Sequence, residues 1–172
     1  MADDFRFEDE NRPDDMFKSP FDEDKNGGLG DGSLEEKEVK VIGVYEPKDQ
    51  TNQQPAGFVV VLKDVEGRSV LIWIGRFEAL AISLALEGAS ADRPLTHDLL
   101  NNIINKMDGT VERILIDDLW NNTYYAKITI AHGGKTIEID SRPSDAIALS
   151  LRSKAPIFMV EAVLDRAAVQ EE

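Results

Sequence analysis

The chain has 172 residues, no cysteine and a net charge of −14, from 33 acidic and 19 basic residues. This length is typical of one domain with a tail, and the lack of cysteine excludes disulfides and thiolate metal sites. No apolar run approaches the roughly 18 residues that a membrane span needs, and acids stand where a signal peptide would carry a basic region and an apolar core. We therefore expect a soluble protein of the cytoplasm with no membrane partner.

The acidic charge is concentrated near the N-terminus. Residues 1–36 hold 13 acidic and 4 basic residues, whereas residues 37–172 hold 20 and 15. Polar residues, glycine and proline dominate 1–36 without an apolar period, which predicts a disordered acidic tail. The apolar residues around Met16–Phe21 suit either a solvated tail or a docking segment. The predicted domain, 37–172, has no basic block, although proteins that bind nucleic acid through phosphates usually show a basic face.

The first predicted elements, over about residues 38–107, are three strands and two helices. Continuous or alternating apolar residues bounded by polar turns indicate the strands, and apolar residues at helical spacing indicate the helices. The strands are expected around Val39–Val44, Phe58–Leu62 and Val70–Ile74, and the helices around Phe77–Ala85 and Leu99–Met107. Gly88 is placed to end the first helix, and Thr96 is the expected N-cap of the second.

The next elements, over about residues 110–169, repeat this order. Strands are expected at Val111–Ile116, Tyr125–Ile130 and Thr136–Asp140, followed by a helix at Pro143–Ser153, an extended segment at Pro156–Val160 and a closing helix at Glu161–Val169. Short turns between successive strands favour antiparallel pairing. Because no alternating strand and helix pattern occurs, the predicted fold class is α+β.

Two segments recur at one offset of 67 residues, without a gap. Gly67–Ile72 is matched by Gly134–Ile139, and Glu78–Leu84 is matched by Asp145–Leu151. Two independent segments rarely share an offset by chance, so the sequence predicts a duplicated β-β-β-α-α unit.

The duplication pairs two acids, Glu78 and Asp145, each near the start of a helix. A carboxylate in the first turn complements the helix dipole by about 0.3–1 kcal/mol. The alternative is a functional role as a metal ligand or general base. Both interpretations remain open.

The two copies differ just before these acids. The apolar end of the first copy, Trp73–Arg76, is replaced in the second by Asp140–Pro143. Asp140, Arg142, Ser144 and Asp145 then converge on one strand-to-helix junction. The planar guanidinium of Arg142 could clamp a phosphate. Asp140 and Asp145 could hold a divalent cation through oxygen ligands. An arginine–aspartate pair with a purely structural role explains the cluster equally well.

His97 and Asp98 are the other candidate pair. Histidine can act as a general base near neutral pH, and Asp98 could orient it or bind a metal. Both residues also fit an exposed first helical turn, where Asp98 favours the helix dipole.

Two further groups have structural interpretations. Adjacent strand residues point to opposite faces unless a bulge intervenes, so Asp117 and Asp118 are expected in a turn. Trp120, Tyr124 and Tyr125 could stack bases, but no lysine or arginine lies between them, which favours cross-strand packing.

Three stretches resemble the bifunctional nuclease family: Leu71–Ala79, Arg93–Leu100 and Ile137–Leu149. The resemblance spans about residues 38–169. It implies an α+β roll with the duplicated unit, assembly into homo-oligomers, and nuclease activity on RNA and DNA. It assigns no catalytic residues.

Two functions follow as hypotheses. The first is a metal-dependent nuclease, in which a cation polarises the phosphate and activates water and an arginine stabilises the developing charge. Its predicted ligands for Mg²⁺ or Mn²⁺ are Asp140, Asp145 and Glu78, and its predicted catalytic residues are His97, Asp98, Arg142 and Ser144. The second is a non-catalytic interaction or regulatory module that oligomerises, which the missing basic face favours.

Overall fold

The structure is a computed structural model that describes residues 35–47, 57–89 and 91–169. Nearly all of the predicted acidic tail, including the candidate docking segment Met16–Phe21, lies outside the described residues. The first strand begins at Glu36, one residue before the predicted start of the domain.

The described residues form eight strands and four helices. In chain order these are β1 Glu36–Tyr45, β2 Phe58–Asp64, β3 Ser69–Ile74, α1 Arg76–Leu86, α2 Thr96–Lys106, β4 Gly109–Trp120, β5 Thr123–His132, β6 Lys135–Ser141, α3 Pro143–Ser153, β7 Ile157–Val160, α4 Glu161–Ala167 and β8 Ala168–Val169. Among the described residues, no helix has the length and apolar character that crossing a membrane requires.

All eight strands belong to one sheet with the order β6-β5-β4-β7-β1-β2-β3-β8. Neighbouring strands are antiparallel, except for β4 and β7, which are parallel. Strands β1–β3 and β4–β6 each form a meander, and β7 joins the two meanders edge to edge. The predicted α+β class with a mainly antiparallel sheet is therefore confirmed.

The second half of the chain adds a strand to the β-β-β-α-α order, where the sequence predicted an extended segment. Helix α3 ends where Lys154 adopts a left-handed conformation with φ 59°, and after Pro156 the chain forms β7. Helix α4 follows, and its last predicted residues, Ala168–Val169, pair with β3 as a strand. The duplication itself stays a prediction.

The core lies between the sheet and the helices. Helix α3 is central: it packs on α1, α2, β4 and β5, and seven of its eleven residues are buried. Strand alternation turns one apolar face of the sheet toward it. Fully buried side chains of this core include Leu62, Ile82, Ile114, Ile147, Leu149 and Met159. Burial of each such side chain stabilises the fold by about 1.5–3 kcal/mol.

Helix α2 covers the core less than its apolar pattern suggests. It packs on α3 and β4, but none of its residues is buried. Much of its apolar stripe, including Leu99, Ile103 and Met107, is exposed.

This arrangement predicts unequal effects of truncating two isoleucines on helices. Ile147→Ala removes a fully buried side chain of α3 and should lower the free energy of unfolding by about 2–5 kcal/mol. Ile103→Ala, at an exposed position of α2, should lower it by less than about 1 kcal/mol. Urea unfolding of both variants measures the difference, and equal losses would contradict the central position of α3.

Candidate active site

Two strand-to-helix junctions meet at one cleft of about 330 Å³. One junction joins β3 to α1 and the other joins β6 to α3. The turn between β4 and β5 forms a further wall, in which Asn121 and Asn122 both have positive φ, as a two-residue hairpin turn requires. A second cleft of about 370 Å³ lies beside β1, β7 and the end of α3, and none of the predicted site residues lines it.

Each helix start places an acid in the same position. Glu78 is the third residue of α1, and Asp145 is the third residue of α3. Gly75 precedes α1, and a Cβ there would lie 2.3 Å from Glu78 Oε2, so glycine leaves room for the carboxylate to fold back over the helix start. Pro143 begins α3, where its missing amide proton costs no hydrogen bond.

Arg142 bridges these two acids. Its Nε lies 2.7 Å from Asp145 Oδ2, and its Nη2 lies 3.1 Å from Asp145 Oδ1 and 3.1 Å from Glu78 Oε1. The hydrogen bond and charge of Asp145, followed by those of Glu78, raise the pKa of the guanidinium. The Arg142 side chain is nevertheless 66% exposed, so a permanent cation stands at the cleft within reach of a ligand.

His97 contacts the same cluster from α2. Its Nε2 lies 3.1 Å from Asp145 Oδ1, and its side chain is only 12% exposed. Burial raises the pKa of Asp145, but the hydrogen bonds from Arg142 and His97 outweigh that effect and hold the pKa below its ordinary value. Asp145 is thus a carboxylate that both orients an imidazole and holds a guanidinium.

Asp98 has different partners from those the sequence predicted. Its Oδ2 accepts the Leu95 amide at 2.9 Å, and its Oδ1 accepts Nε of Arg152. The N-cap of α2 is therefore Leu95, and the prediction of Thr96 was wrong by one residue. Burial raises the pKa of Asp98, but the hydrogen bonds from Arg152 and from the Leu95 amide lower it below the ordinary value.

Arg152 ties three helices together. The same guanidinium that binds Asp98 of α2 also donates to the carbonyl oxygens of Ala81 in α1, at 3.1 Å, and Ala148 in α3, at 2.8 Å. It is largely buried. Because His97 is the residue before Asp98, this tie sets the distance between the imidazole and Asp145.

The other two predicted residues of the junction lie apart from each other. Ser144 is buried in the first turn of α3 and lines the cleft. Asp140 is exposed on β6, opposite Lys127 of β5. Its neighbour Ile139 pairs with Ile128 of the core, so strand alternation turns Asp140 to the other face of the sheet. The structure does not bring Asp140 to Asp145.

The residues present do not form a ready cation site. Among the described residues, no three histidine, cysteine or acidic side chains are grouped as a metal ion would need. The guanidinium of Arg142 contacts both Glu78 and Asp145, which is the place a shared cation would take. The metal ligand set remains a prediction.

The expectation of a turn at Asp117 and Asp118 was wrong. Both lie within β4, where a bulge between Ile116 and Asp118 disturbs the pairing with β5. Asp117 pairs with Lys127 at 2.9 Å, and Asp118 Oδ1 accepts the following amide at 2.7 Å. The pair lies outside the cleft lining.

The aromatic residues divide between the cleft and the outer surface. Tyr124 lines the cleft, and burial raises the pKa of its hydroxyl. Trp120 is mostly exposed. Trp73, which the sequence interpretation treated only as part of an apolar strand end, also lines the cleft. The alternation of Ile72, Trp73 and Ile74 along β3 was the signal that could have shown Trp73 facing away from the core.

The sequence of this chain also matches a family of known proteins. A model described as the bifunctional nuclease domain matches residues 60–172. This chain belongs to that family.

The relatives include both uncharacterised and named proteins. An uncharacterised protein of Mycobacterium tuberculosis strain H37Rv is 38% identical over 131 residues, which cover 76% of this chain and 75% of that protein. Bifunctional nuclease 1 of Oryza sativa subsp. japonica is 31% identical over 103 residues, which cover 57% of this chain and 31% of that protein. Bifunctional nuclease 1 of Arabidopsis thaliana is 28% identical over 103 residues, which cover 57% and 32%.

The Asp98 contacts predict a pH-dependent stability. A carboxylate whose pKa is lowered by folding contributes stability above its unfolded-state pKa of about 4, and that contribution is lost as the pH falls through the folded-state value. The natural chain should therefore exceed Asp98→Asn in unfolding free energy by the largest amount near pH 6–7. This difference should shrink as the pH falls below about 4.

Urea unfolding between pH 7 and 3 measures this gap. Asp92→Asn, at an exposed carboxylate in the loop before α2, is the control and should stay within about 0.5 kcal/mol of the natural chain. A gap for Asp98→Asn that persists unchanged to pH 3 would contradict the ion pair with Arg152.

Proposed function

We propose that this protein is a nuclease of the cytoplasm that hydrolyses phosphodiester bonds of RNA, DNA or both. The observation that supports this function best is that Arg142, which lines the cleft, contacts Asp145, which His97 also contacts, in a chain of the bifunctional nuclease family. The names of the plant relatives support the same class of activity.

Arg142 and the two helix starts would bind the phosphate. The described contacts of Arg142 use Nε and Nη2, which leaves the Nη1 donors for a phosphate oxygen. Helices α1 and α3 both begin at the cleft, and helix N-termini favour anions through their unpaired amides and dipoles. These dipoles are needed, because Glu78 and Asp145 reduce the net attraction of Arg142 for another anion.

His97 would move the proton. If Nε2–H donates to Asp145, Nδ1 is left as an acceptor that can take a proton from the attacking water. The Asp145 carboxylate stabilises the imidazolium that results. Arg142 then stabilises the charge that develops on the phosphate oxygens. The water oxygen forms a new P–O bond while the P–O bond to the leaving oxygen breaks, and the leaving oxygen takes the proton that His97 accepted from the water.

Dependence on magnesium or manganese is a separate proposal. Its support is the pair of carboxylates, Glu78 and Asp145, which supply the oxygen ligands that such ions prefer. Binding there requires Arg142 to leave both carboxylates. The proposed roles of Arg142 and His97 do not require a metal ion. The activity measured in chelator therefore tests metal dependence separately from the role of His97.

Cleavage of labelled single-stranded RNA and DNA tests the proposed site. Arg142→Ala should reduce the initial rate by about 10²–10³-fold, and His97→Ala should reduce it by about 10²–10⁴-fold. Arg166→Ala is the matched control, because Arg166 is another exposed arginine paired with an aspartate, Asp118, but outside the cleft lining. Its rate should be unchanged.

The same assay is run with chelator and with added Mn²⁺ or Mg²⁺. Full activity in chelator would contradict the dependence on a metal ion but would remain consistent with the cleft as the active site. Activity that survives in both folded cleft variants would remove the cleft as the active site. No cleavage above a mock preparation would favour the alternative function.

The alternative is an interaction module that oligomerises. Its support is the exposed apolar surface of two helices, which includes Phe77 and Leu80 of α1 and Leu99, Ile103 and Met107 of α2. Exposed apolar surface of this kind is typical of protein interfaces. We propose that copies of the chain associate through it, whether or not the protein is catalytic.

Light scattering after size-exclusion chromatography tests this association. The natural chain should show a mass above its 19.1 kDa monomer, and Leu99→Lys with Ile103→Lys should shift it toward the monomer. A matched pair of lysines at two exposed asparagines of the same helix, Asn102→Lys and Asn105→Lys, should leave the mass unchanged. A monomeric natural chain would contradict the proposal.

A further inference from the structure

The side of the sheet that faces away from the helices carries an aromatic row. Tyr45 of β1 pairs with Val59 of β2, and Val59 pairs with Trp73 of β3. The neighbouring residues Val60 and Ile72 belong to the core, so strand alternation directs the row to the opposite face. Tyr45 is 52% exposed and Trp73 is 59% exposed, whereas Val59 between them is 2% exposed. The row thus consists of two half-exposed aromatic side chains on either side of a buried valine.

Two glycines give these rings room to lie along the sheet. A Cβ at Gly43 would lie 3.1 Å from the hydroxyl oxygen of Tyr45 and 3.2 Å from its Cε2 and Cζ, so the phenol ring lies over the backbone of Gly43. A Cβ at Gly57 would lie 3.5 Å from Cε3 and Cζ3 of Trp73. Rings that lie along a surface, and are half exposed there, present π-faces to a ligand.

The row is continuous with the candidate active site. Trp73 also lines the cleft that contains Arg142. Strand β8 pairs only with Ser69 and Val70, so the end of β3 at Trp73 is an open sheet edge among the described residues. Because neighbouring strands lie about 4.8 Å apart, Tyr45 and Trp73 are separated by about 10 Å across β2. A flexible chain bound at the cleft can pass around this edge onto the row.

The net negative charge of the domain disfavours ligands that would bind mainly through their phosphates. Residues 37–172 hold 20 acidic and 15 basic residues, so attraction for phosphates supplies little affinity. Stacking of bases on aromatic rings supplies affinity without a basic surface and tolerates any sequence. A duplex keeps its bases inside, so only a single strand can use the row.

We propose that Tyr45, Val59 and Trp73 form a stacking platform for the bases of single-stranded nucleic acid. The platform holds the strand whose phosphate reaches Arg142 in the cleft. This inference rests on the proposed nuclease function for its substrate, and it adds the preference for single strands and the residues that cause it.

Binding is measured apart from cleavage, by fluorescence anisotropy of labelled single-stranded DNA in chelator and at short times. Tyr45→Leu and Trp73→Leu keep an apolar side chain in each strand but remove the ring, and each should weaken binding about tenfold. Tyr45→Phe keeps the ring and should bind as the natural chain does. Val65→Ala, at an exposed apolar residue of the β2–β3 turn, is the matched control and should also bind normally.

The choice of probes separates bases from phosphates. An abasic oligonucleotide of the same length, and a duplex of the same sequence, should each bind at least tenfold more weakly than the single strand. With Trp120→Phe as the background, Trp73 is the single tryptophan, and its fluorescence should be quenched by the single strand but not by the abasic strand.

Three results would overturn the platform: equal binding of the single and abasic strands, unchanged binding by both leucine variants, or a lower oligomer mass in those variants with binding intact. The last result would make this face an interface between copies of the chain. Binding that depends on the two aromatic rings, without any cleavage, would support the platform and contradict the nuclease function. Cleavage at the same rate in the two leucine variants and the natural chain would support the nuclease function and exclude the platform.

Discussion

Burial of α3 fixes the position of the candidate site. The helix is enclosed by the sheet, α1 and α2, and an arginine at each end of it pairs with acids of the candidate site. At its start, Arg142 and Asp145 reach Glu78 of α1 and His97 of α2. In its last turn, Arg152 holds Asp98. A shift of α3 would therefore move the cation, the imidazole and its carboxylate together.

The small residues of α3 make this geometry attainable. Ala146 and Ala148 are fully buried, and short side chains let neighbouring helices approach closely. The close packing also holds a polar cluster partly away from water. Burial raises the pKa of Asp145 there, and the hydrogen bonds from Arg142 and His97 lower it again. The cluster is thus stable only as a set, since removing one partner leaves another group unpaired.

Much of this arrangement could be predicted from local pattern. The apolar run of β2 and the proline start of α3 appear where periodicity and capping place them. The sequence comparison also picked out Glu78 and Asp145, two acids that the structure brings to one guanidinium. Periodicity and capping succeed here because each depends only on residues a few positions apart.

The features that were missed depend on long-range pairing. The position of β7 between the two meanders follows from register with β1 and β4, which no local pattern contains. Asp140 is close to Asp145 in sequence but lies on the other face of the sheet. The row of Tyr45 and Trp73 becomes visible only when three strands are aligned. Side chains from distant segments can be grouped only after the sheet order is known.

The most direct test of the account is a crystal structure of the protein with a single-stranded oligonucleotide whose phosphodiester bonds resist hydrolysis. The account predicts a phosphate within hydrogen-bonding distance of Arg142, close to His97, and a base stacked on Trp73. A strand bound elsewhere, for example in the cleft beside β1, β7 and the end of α3, with Arg142 still held only by Glu78 and Asp145, would contradict it.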